Sequence, residues 1–242
     1  MKKKALMVFS CVFLISLTNC GGSDTNSAEL KLETTSENSV KDNELIKLFN
    51  ISRSSLGSEF VNNSEPERKP KFRIEGKQYY SIGSEKYLLA AMGITNPNEL
   101  HMAFGSMNIG LFKYEGDRWN RIDLVKNVSI PSEFGEYGEI EKFELFGPKN
   151  ICIGVSGHFM AQGIMDERQC IIGVVENKLK VIYSGEKSFN DEANFGNQDR
   201  EIRISFKKTD SGFYELKEEK YSKKRLTKTN IKVFNEKKAT YL

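Results

Sequence analysis

The sequence predicts an all-β protein built of antiparallel sheets and hairpins, and three observations carry that expectation. From Phe72 onwards the apolar residues come in short or alternating runs bounded by turn residues, the pattern of strands. Three pairs of runs are separated at hairpin spacing by "YEGDRW", "VENKL" and "TDSG". Only one segment clusters its apolar residues as a helix does, and it is short. A sandwich, a barrel-like and a propeller-like arrangement all satisfy this pattern.

In chain order, the helix runs from Asp42 or Asn43, either of which is a suitable cap, through Phe49, with Leu45, Ile46, Leu48 and Phe49 on one side. "NNSEPERKPK", Asn62 to Lys71, is a loop. Strands follow at Tyr87–Ile94, Ile109–Tyr114 and Trp119–Leu124, the last two joined by a tight turn in which Gly116 is free to take positive φ. Asn150–Val155, Cys170–Val175 and Leu179–Tyr183 have the same character. Glu201–Lys207 and Phe213–Glu218 form a further hairpin, and Arg225–Phe234 and Lys238–Leu242 close the chain.

The N-terminus is of another kind. Lys2, Lys3 and Lys4 precede an apolar run from Ala5 to Leu17, too short for a membrane span, which needs ~20 residues. A charged start and a short apolar core are the marks of a secretory signal. The run ends in Leu17-Thr18-Asn19-Cys20-Gly21, which resembles the lipobox of bacterial lipoproteins. The resemblance covers about the first twenty residues, with Asn19 departing from the small residue usual before the cysteine. It implies cleavage after Asn19, residues 1–19 being the signal, and lipid on Cys20. Gly21, where an inner-membrane lipoprotein would carry Asp, implies the outer membrane of a Gram-negative envelope; in a Gram-positive cell the address is the outer face of the cytoplasmic membrane. Gly21 to Lys41 is polar and free of aromatic residues, the composition of an unstructured tether. Residues 20–41 are therefore read as lipidated cysteine and tether, and 42–242 as the all-β domain.

The formal charge of +3 comes from Lys2 to Lys4, leaving 33 basic residues against 33 acidic. That balance gives no reason to expect nucleic acid. Cys152 and Cys170 remain beyond the signal and the anchor. In an oxidising compartment they are a candidate disulfide, with two buried free thiols as the alternative.

A repeat search finds "HMAFGSMN" at His101–Asn108 and "HFMAQGIMD" at His158–Asp166. Without Phe159 both read H-M-A-x-G-x-M-[N/D], and they hold both histidines of the chain. Each follows one expected strand and precedes a hairpin, so the chain is expected to contain two copies of a unit of three or four strands. Gly105 and Gly163 suit positive φ or a close backbone approach. His101, Met102, Met107, His158, Met160 and Met165 are the candidate ligand-binding residues. Methionines filling gaps beneath the loops are the plainer explanation. Paired imidazole and thioether groups suit Cu(I) at His101 and His158, although no metal and no cofactor is expected. A recognition edge for a protein is the third reading.

Gly154-Val155-Ser156-Gly157-His158 fails as a nucleophile elbow because His158 stands where glycine is required, and Ser156 and His158 are expected to point apart. "FGEYGE", Phe134–Glu139, reads as turn material, with an exposed binding loop as the alternative. The basic cluster Lys223, Lys224, Arg225 and Lys228 reads as protection of an edge strand rather than a contact for an anionic polymer. The sequence thus points to a lipid-anchored envelope protein acting as a binding module for an envelope protein or polymer. In format it is similar to small β-rich envelope lipoproteins that inhibit lysozymes or confer immunity to toxins. The competing class is a hydrolase of envelope polymers using His101 or His158.

Overall fold

The computed structural model describes residues 29–34, 38–60, 65, 67–98, 103–128, 130, 132–191, 199–210 and 212–242. The first sheet contains β1 (Leu30–Glu33), β2 (Phe72–Ile82), β3 (Glu85–Ile94), β4 (Ser106–Glu115) and β5 (Arg118–Val128), and α1 (Asp42–Phe49) lies between β1 and β2 in the chain. The second contains β6 (Glu139–Gly147), β7 (Asn150–Ala161), β8 (Ile164–Val175), β9 (Lys178–Asp191), β10 (Arg200–Lys207), β11 (Glu215–Ser222) and β12 (Arg225–Lys232). A short pair, β13 (Phe234–Asn235) with β14 (Thr240–Tyr241), completes the chain. Both large sheets follow sequence order, every pairing is antiparallel, and neither closes into a barrel. Of the arrangements open to the sequence, the open sandwich is the one adopted.

Two four-stranded meanders, β2–β5 and β6–β9, follow one another and lie face to face. Their two-residue turns at 83–84, 116–117, 148–149 and 176–177 all fall at one end of the strands. Gly116 and Asp117 have φ of +57° and +60°, and Glu176 and Asn177 of +51° and +57°. Left-handed residues at both turn positions match the twist of the flanking strands. The opposite end carries the connections 95–105 and 129–138 and the turn at Gln162 and Gly163. The segment read as tether contributes a strand: β1 pairs with β2, Leu30 opposite Ile82, and the Leu30 N–H donates to Pro148 O at 3.1 Å. The chain therefore enters at the tight-turn end.

Side-chain alternation sorts the strands into three cores. Between the sheets, Leu89, Ala91, Ile109 and Leu111 meet Ile151, Ile153, Val155 and Ile172. On the outside of the first sheet, Leu88, Ala90, Met92 and Phe112 pack under Leu45 and Phe49 of α1. The Phe49 and Phe112 rings meet edge-on at 5.3 Å. No side chain caps the helix: Lys41, not Asp42 or Asn43, takes the cap position. Asp42 is drawn instead to Lys77 Nζ at 2.8 Å. On the outside of the second sheet, β10–β14 fold back over β6–β9 and enclose Phe146, Leu216, Phe234 and Tyr241. β10 can turn away because it joins β9 through two residue pairs only. The expected strand Arg225–Phe234 breaks at Val233, and Lys238–Leu242 narrows to β14. β12 ends the sheet, so Arg225 and Lys228 lie on an edge strand, where charge discourages pairing with another chain.

The candidate disulfide is corrected. Cys152 pairs with Gly173, and Cys170 with Val155. They sit three rungs apart, about 10 Å along the strands, and Cys152 faces the outer core while Cys170 faces the sandwich interior. A disulfide needs Cα atoms within about 7 Å. Both are free thiols, and burial raises the Cys152 pKa well above the ordinary value and that of Cys170 to about 11.

Two outcomes follow from this packing. The folded protein should resist alkylation at Cys152 and Cys170 at pH 8 and take up label at both once unfolded in urea, read by mass spectrometry. Phe146→Ala removes the ring at the centre of the outer core, stacked on Phe213 at 5.5 Å, and should cost about 3–5 kcal/mol in urea unfolding. Hydrogen exchange should then quicken in β10–β12 before β2–β5.

Candidate functional site

The candidate residues scatter over two faces. His101 and Met102 lie outside the described residues. Met107, on β4, is 2% exposed and packs inside the sandwich. His158 and Met160 are on β7 and Met165 on β8, in a regular ladder that pairs His158 with Glu167 and Met160 with Met165. Alternation puts these three on the outer face of that hairpin, away from the interior that receives Met107. The two motif copies are therefore not equivalent residue by residue. One passes through an irregular connection and the other through a ladder and a two-residue turn. Met107 does not converge with the second-copy residues into the soft-ligand set that copper would require. Among the described residues no group of three or more His, Cys, Asp and Glu side chains is placed to hold a metal ion. The glycines divide the two roles expected of them. Gly163 has φ of +79°, whereas a Cβ on Gly105 would lie 2.7 Å from Glu136 O and 2.8 Å from Ile94 O.

That close approach knits the loops together. The Gly135 N–H donates to Ala103 O at 2.8 Å, the Gly105 N–H to Glu136 O at 2.6 Å, and the Asn96 N–H to Gly135 O at 2.8 Å. Asn96 Nδ2 donates to Phe104 O at 3.1 Å. The Tyr137 ring lies over Gly93, where a Cβ would be 2.2 Å away, and its hydroxyl donates to Glu75 Oε1 at 2.5 Å. Burial, followed by the Glu75 carboxylate, pushes the Tyr137 pKa above the ordinary range. "FGEYGE" is thus more than turn material: Tyr137 anchors the loop inward while Phe134, at φ +54°, turns outward. The Phe104 and Phe159 rings, from the two motif copies, meet edge-on at 6.4 Å. Three large apolar side chains remain open to solvent on this end: Phe104 (41%), Phe134 (55%) and Met160 (50%).

Two hollows flank this surface. One, about 960 Å³, is the open wedge between the sheets, with Phe104, Val128 and Val181 along its walls and the ion pair Arg168–Asp166 at its mouth, Nη2 to Oδ2 2.9 Å. The other, about 810 Å³, lies between β2, the 132–138 loop and the end of β7. His158 opens onto it with Nε2 3.7 Å from Glu133 Oε1.

A partly exposed ionic network, which no local pattern in the chain marks, lies on the outer face of the second sheet. Lys187 Nζ sits 2.7 Å from both Glu141 Oε1 and Glu167 Oε1, and Ser188 Oγ donates to Glu167 Oε2 at 2.9 Å. Ser156 Oγ donates to Glu141 and lies 3.4 Å from Lys187 Nζ. Burial works against charge on Glu141 and Lys187. The hydrogen bonds among Glu141, Glu167, Ser156 and Lys187 outweigh it, so the Glu141 pKa falls and the Lys187 pKa rises. A lysine held protonated cannot take a proton from Ser156, so the pair does not form an activated nucleophile. The expectation that Ser156 and His158 point apart is also corrected, because residues two apart on a strand share a face. Ser156 is nonetheless engaged by Glu141, and His158 lies toward Glu133.

Among the described residues no helix is long and apolar enough to cross a membrane. The chain matches no protein-family model, no curated protein and no solved structure.

The network sets a pH signature. The Lys187 contribution is present below the ordinary lysine pKa and is lost as pH rises through its raised folded value. The Glu141 contribution is present above the ordinary carboxylate pKa and is lost as pH falls through its lowered folded value. Lys187→Met leaves two facing carboxylates. It should destabilise the fold by about 1–2 kcal/mol at pH 7, a figure reduced for partial exposure. Urea unfolding at pH 3.5 should show that gap narrowed; an equal gap at both pH values would exclude the network as its source.

Proposed function

We propose that this protein is a lipid-anchored component of the bacterial envelope whose β-sandwich is a binding module, with the loop end as its contact surface. The observation that carries the reading is the presence of Phe104 and Phe134, from two connections, and Met160, from the end of β7, exposed at one hydrogen-bonded end of the molecule. Single exposed apolar residues are ordinary, but three large ones at the same end of a small domain favour a contact site there. Aromatic and methionine side chains are the types that concentrate binding energy in such surfaces.

The direction of the chain supports the same reading. It enters the fold at Leu30, at the tight-turn end. Only nine residues lie between Cys20 and that point, a reach of at most about 36 Å. Strands of 12 residues, as in β7 and β8, are about 40 Å long. The anchor would hold the tight-turn end near the lipid headgroups and carry the apolar loops outward into the compartment. Several acyl chains on one N-terminus provide the stable attachment that this arrangement needs.

Two substitutions and a cross-linker test the proposal in the source bacterium. Cys20→Ala should abolish incorporation of labelled palmitate and release the protein from membrane fractions. A photo-reactive residue placed at Phe134 or Met160 should give a discrete adduct in living cells, whereas one at Glu176, on the tight-turn end, should not. Adducts at Glu176 alone, or palmitate retained in the Cys20 variant, would refute the corresponding half of the reading.

A further inference from the structure

The last strand of the second sheet leaves one edge open. β12 pairs with β11 alone, and among the described residues no strand and no backbone hydrogen bond meets its other side. Its outward N–H and C=O groups are therefore free to continue the ladder. The inner side is settled. A bulge leaves Thr227 without an opposite residue, and its Oγ1 donates to Lys220 O at 2.9 Å.

The bulge also sorts the side chains. Residues opposite one another on a ladder share a face. Arg225, Lys228 and Lys232 therefore stand with Ser222, Lys220 and Leu216 of β11, and Leu226, Thr229 and Ile231 with Tyr221, Glu219 and Lys217. Without the extra residue Leu226 and Ile231 would fall on opposite faces. Both are open to solvent, at 52% and 48%.

The charge on this edge is of one sign. From Lys223 to Leu242 the chain has seven basic residues and one acidic, Glu236. The carboxylates of neighbouring β11 are already engaged. Glu218 is held by Tyr183, Asn230, Lys220 and Lys232, Glu219 by Lys217, and Glu215 by Lys207. Lys224, Arg225 and Lys228 are exposed and have no ion-pair partner among the described residues.

We propose that β12 receives an extended segment of a partner protein as an added strand, with acidic side chains beside Arg225 and Lys228 and apolar ones beside Leu226 and Ile231. Main-chain hydrogen bonds along the edge supply the affinity, and the two differing faces supply the selectivity. The same cations act against a second copy of this chain, because pairing two β12 strands brings together segments that carry cations and no anion. Arg225 faces Ser222, Ser222 faces Arg200, and Arg200 faces Phe189 near the end of β9, so β12 starts at the loop end of the molecule. The edge includes none of Phe104, Phe134 and Met160, and the assignment stands independently of that surface.

The test uses the full chain in detergent micelles, with an acetylated heptapeptide amide that alternates glutamate with valine as the probe. Amide chemical shifts should move along residues 225–232, and alternate amides of β12 should gain protection from hydrogen exchange. Methylating every peptide nitrogen of the probe removes its donors and should weaken binding about tenfold or more. Arg225→Gln with Lys228→Gln should weaken it about fivefold and flatten its salt dependence, with the unfolding midpoint unchanged. A probe of the same composition, with its glutamates ahead of its valines, should bind more weakly than the alternating one. Equal binding of the two would leave charge attraction alone and overturn the assignment. So would shifts along 225–232 caused by phosphatidylglycerol vesicles and not by the probe, which would make the strip a lipid contact. A dimer that protects the same amides without any peptide would give the edge to a second copy and overturn it as well.

Discussion

Burial of β3 on both of its faces is the constraint on which the rest of the molecule depends. Tyr87 to Ile94 are buried without interruption, so the strand cannot stand at a surface on either side. One face is met by the second meander, the other by α1 and the segments around it. A two-sided strand therefore requires a second sheet and also a lid on the first. The same logic recurs in the second sheet, where Cys152 and Ile171 face outward and the returning strands β10–β14 cover them with Phe206, Phe213 and Phe234. Each added layer removes apolar area from water at roughly 25 cal/mol per Å², and none of the layers is self-sufficient.

The parts of this plan that were legible in the sequence are those encoded locally. "YLLAAMGI" is a continuous apolar run bounded by turns, and "YEGDRW" and "VENKL" announce their hairpins through the residues that accept left-handed geometry. Strands at edges and bulges were not marked in this way. β1 is four residues, "LKLE", that become a strand only because β2 offers an edge. β2 carries a register shift between Ile74 and Gly76 that breaks its alternation. β6, at the other sheet's edge, carries charge at Glu139, Glu141, Lys142 and Glu144 because much of it faces solvent. The extension of β7 through His158 to Ala161 was hidden because its turn, Gln162-Gly163, lacks the usual asparagine or aspartate.

The candidate site divides along the same line. One phenylalanine from each His-Met motif, Phe104 and Phe159, meets the other at one end of the molecule. The matching letters do not mean matching environments: Met107 is interior and Met165 is on an outer face. What fixes the surface is a set of backbone hydrogen bonds between residues 96–105 and 135–136, and no periodicity encodes a contact between two loops some thirty residues apart. The exposed Phe134 and the Lys187 network likewise depend on strands brought together only by the fold.

The separation of tight turns and open connections onto opposite ends has a consequence for how such a chain can vary. At the tight-turn end every join is two residues long, and a single inserted residue would shift the register of the strands it links, turning their apolar faces outward. At the other end the strands are already joined by segments of differing length, and extra residues there lengthen a loop at an entropic cost that grows only logarithmically. Change in length is thus tolerated at the end with the longer connections and refused at the tight-turn end. A foreign epitope or reporter peptide grafted into the longer connection between β3 and β4 should be carried without loss of the sandwich, which makes the fold a platform for display.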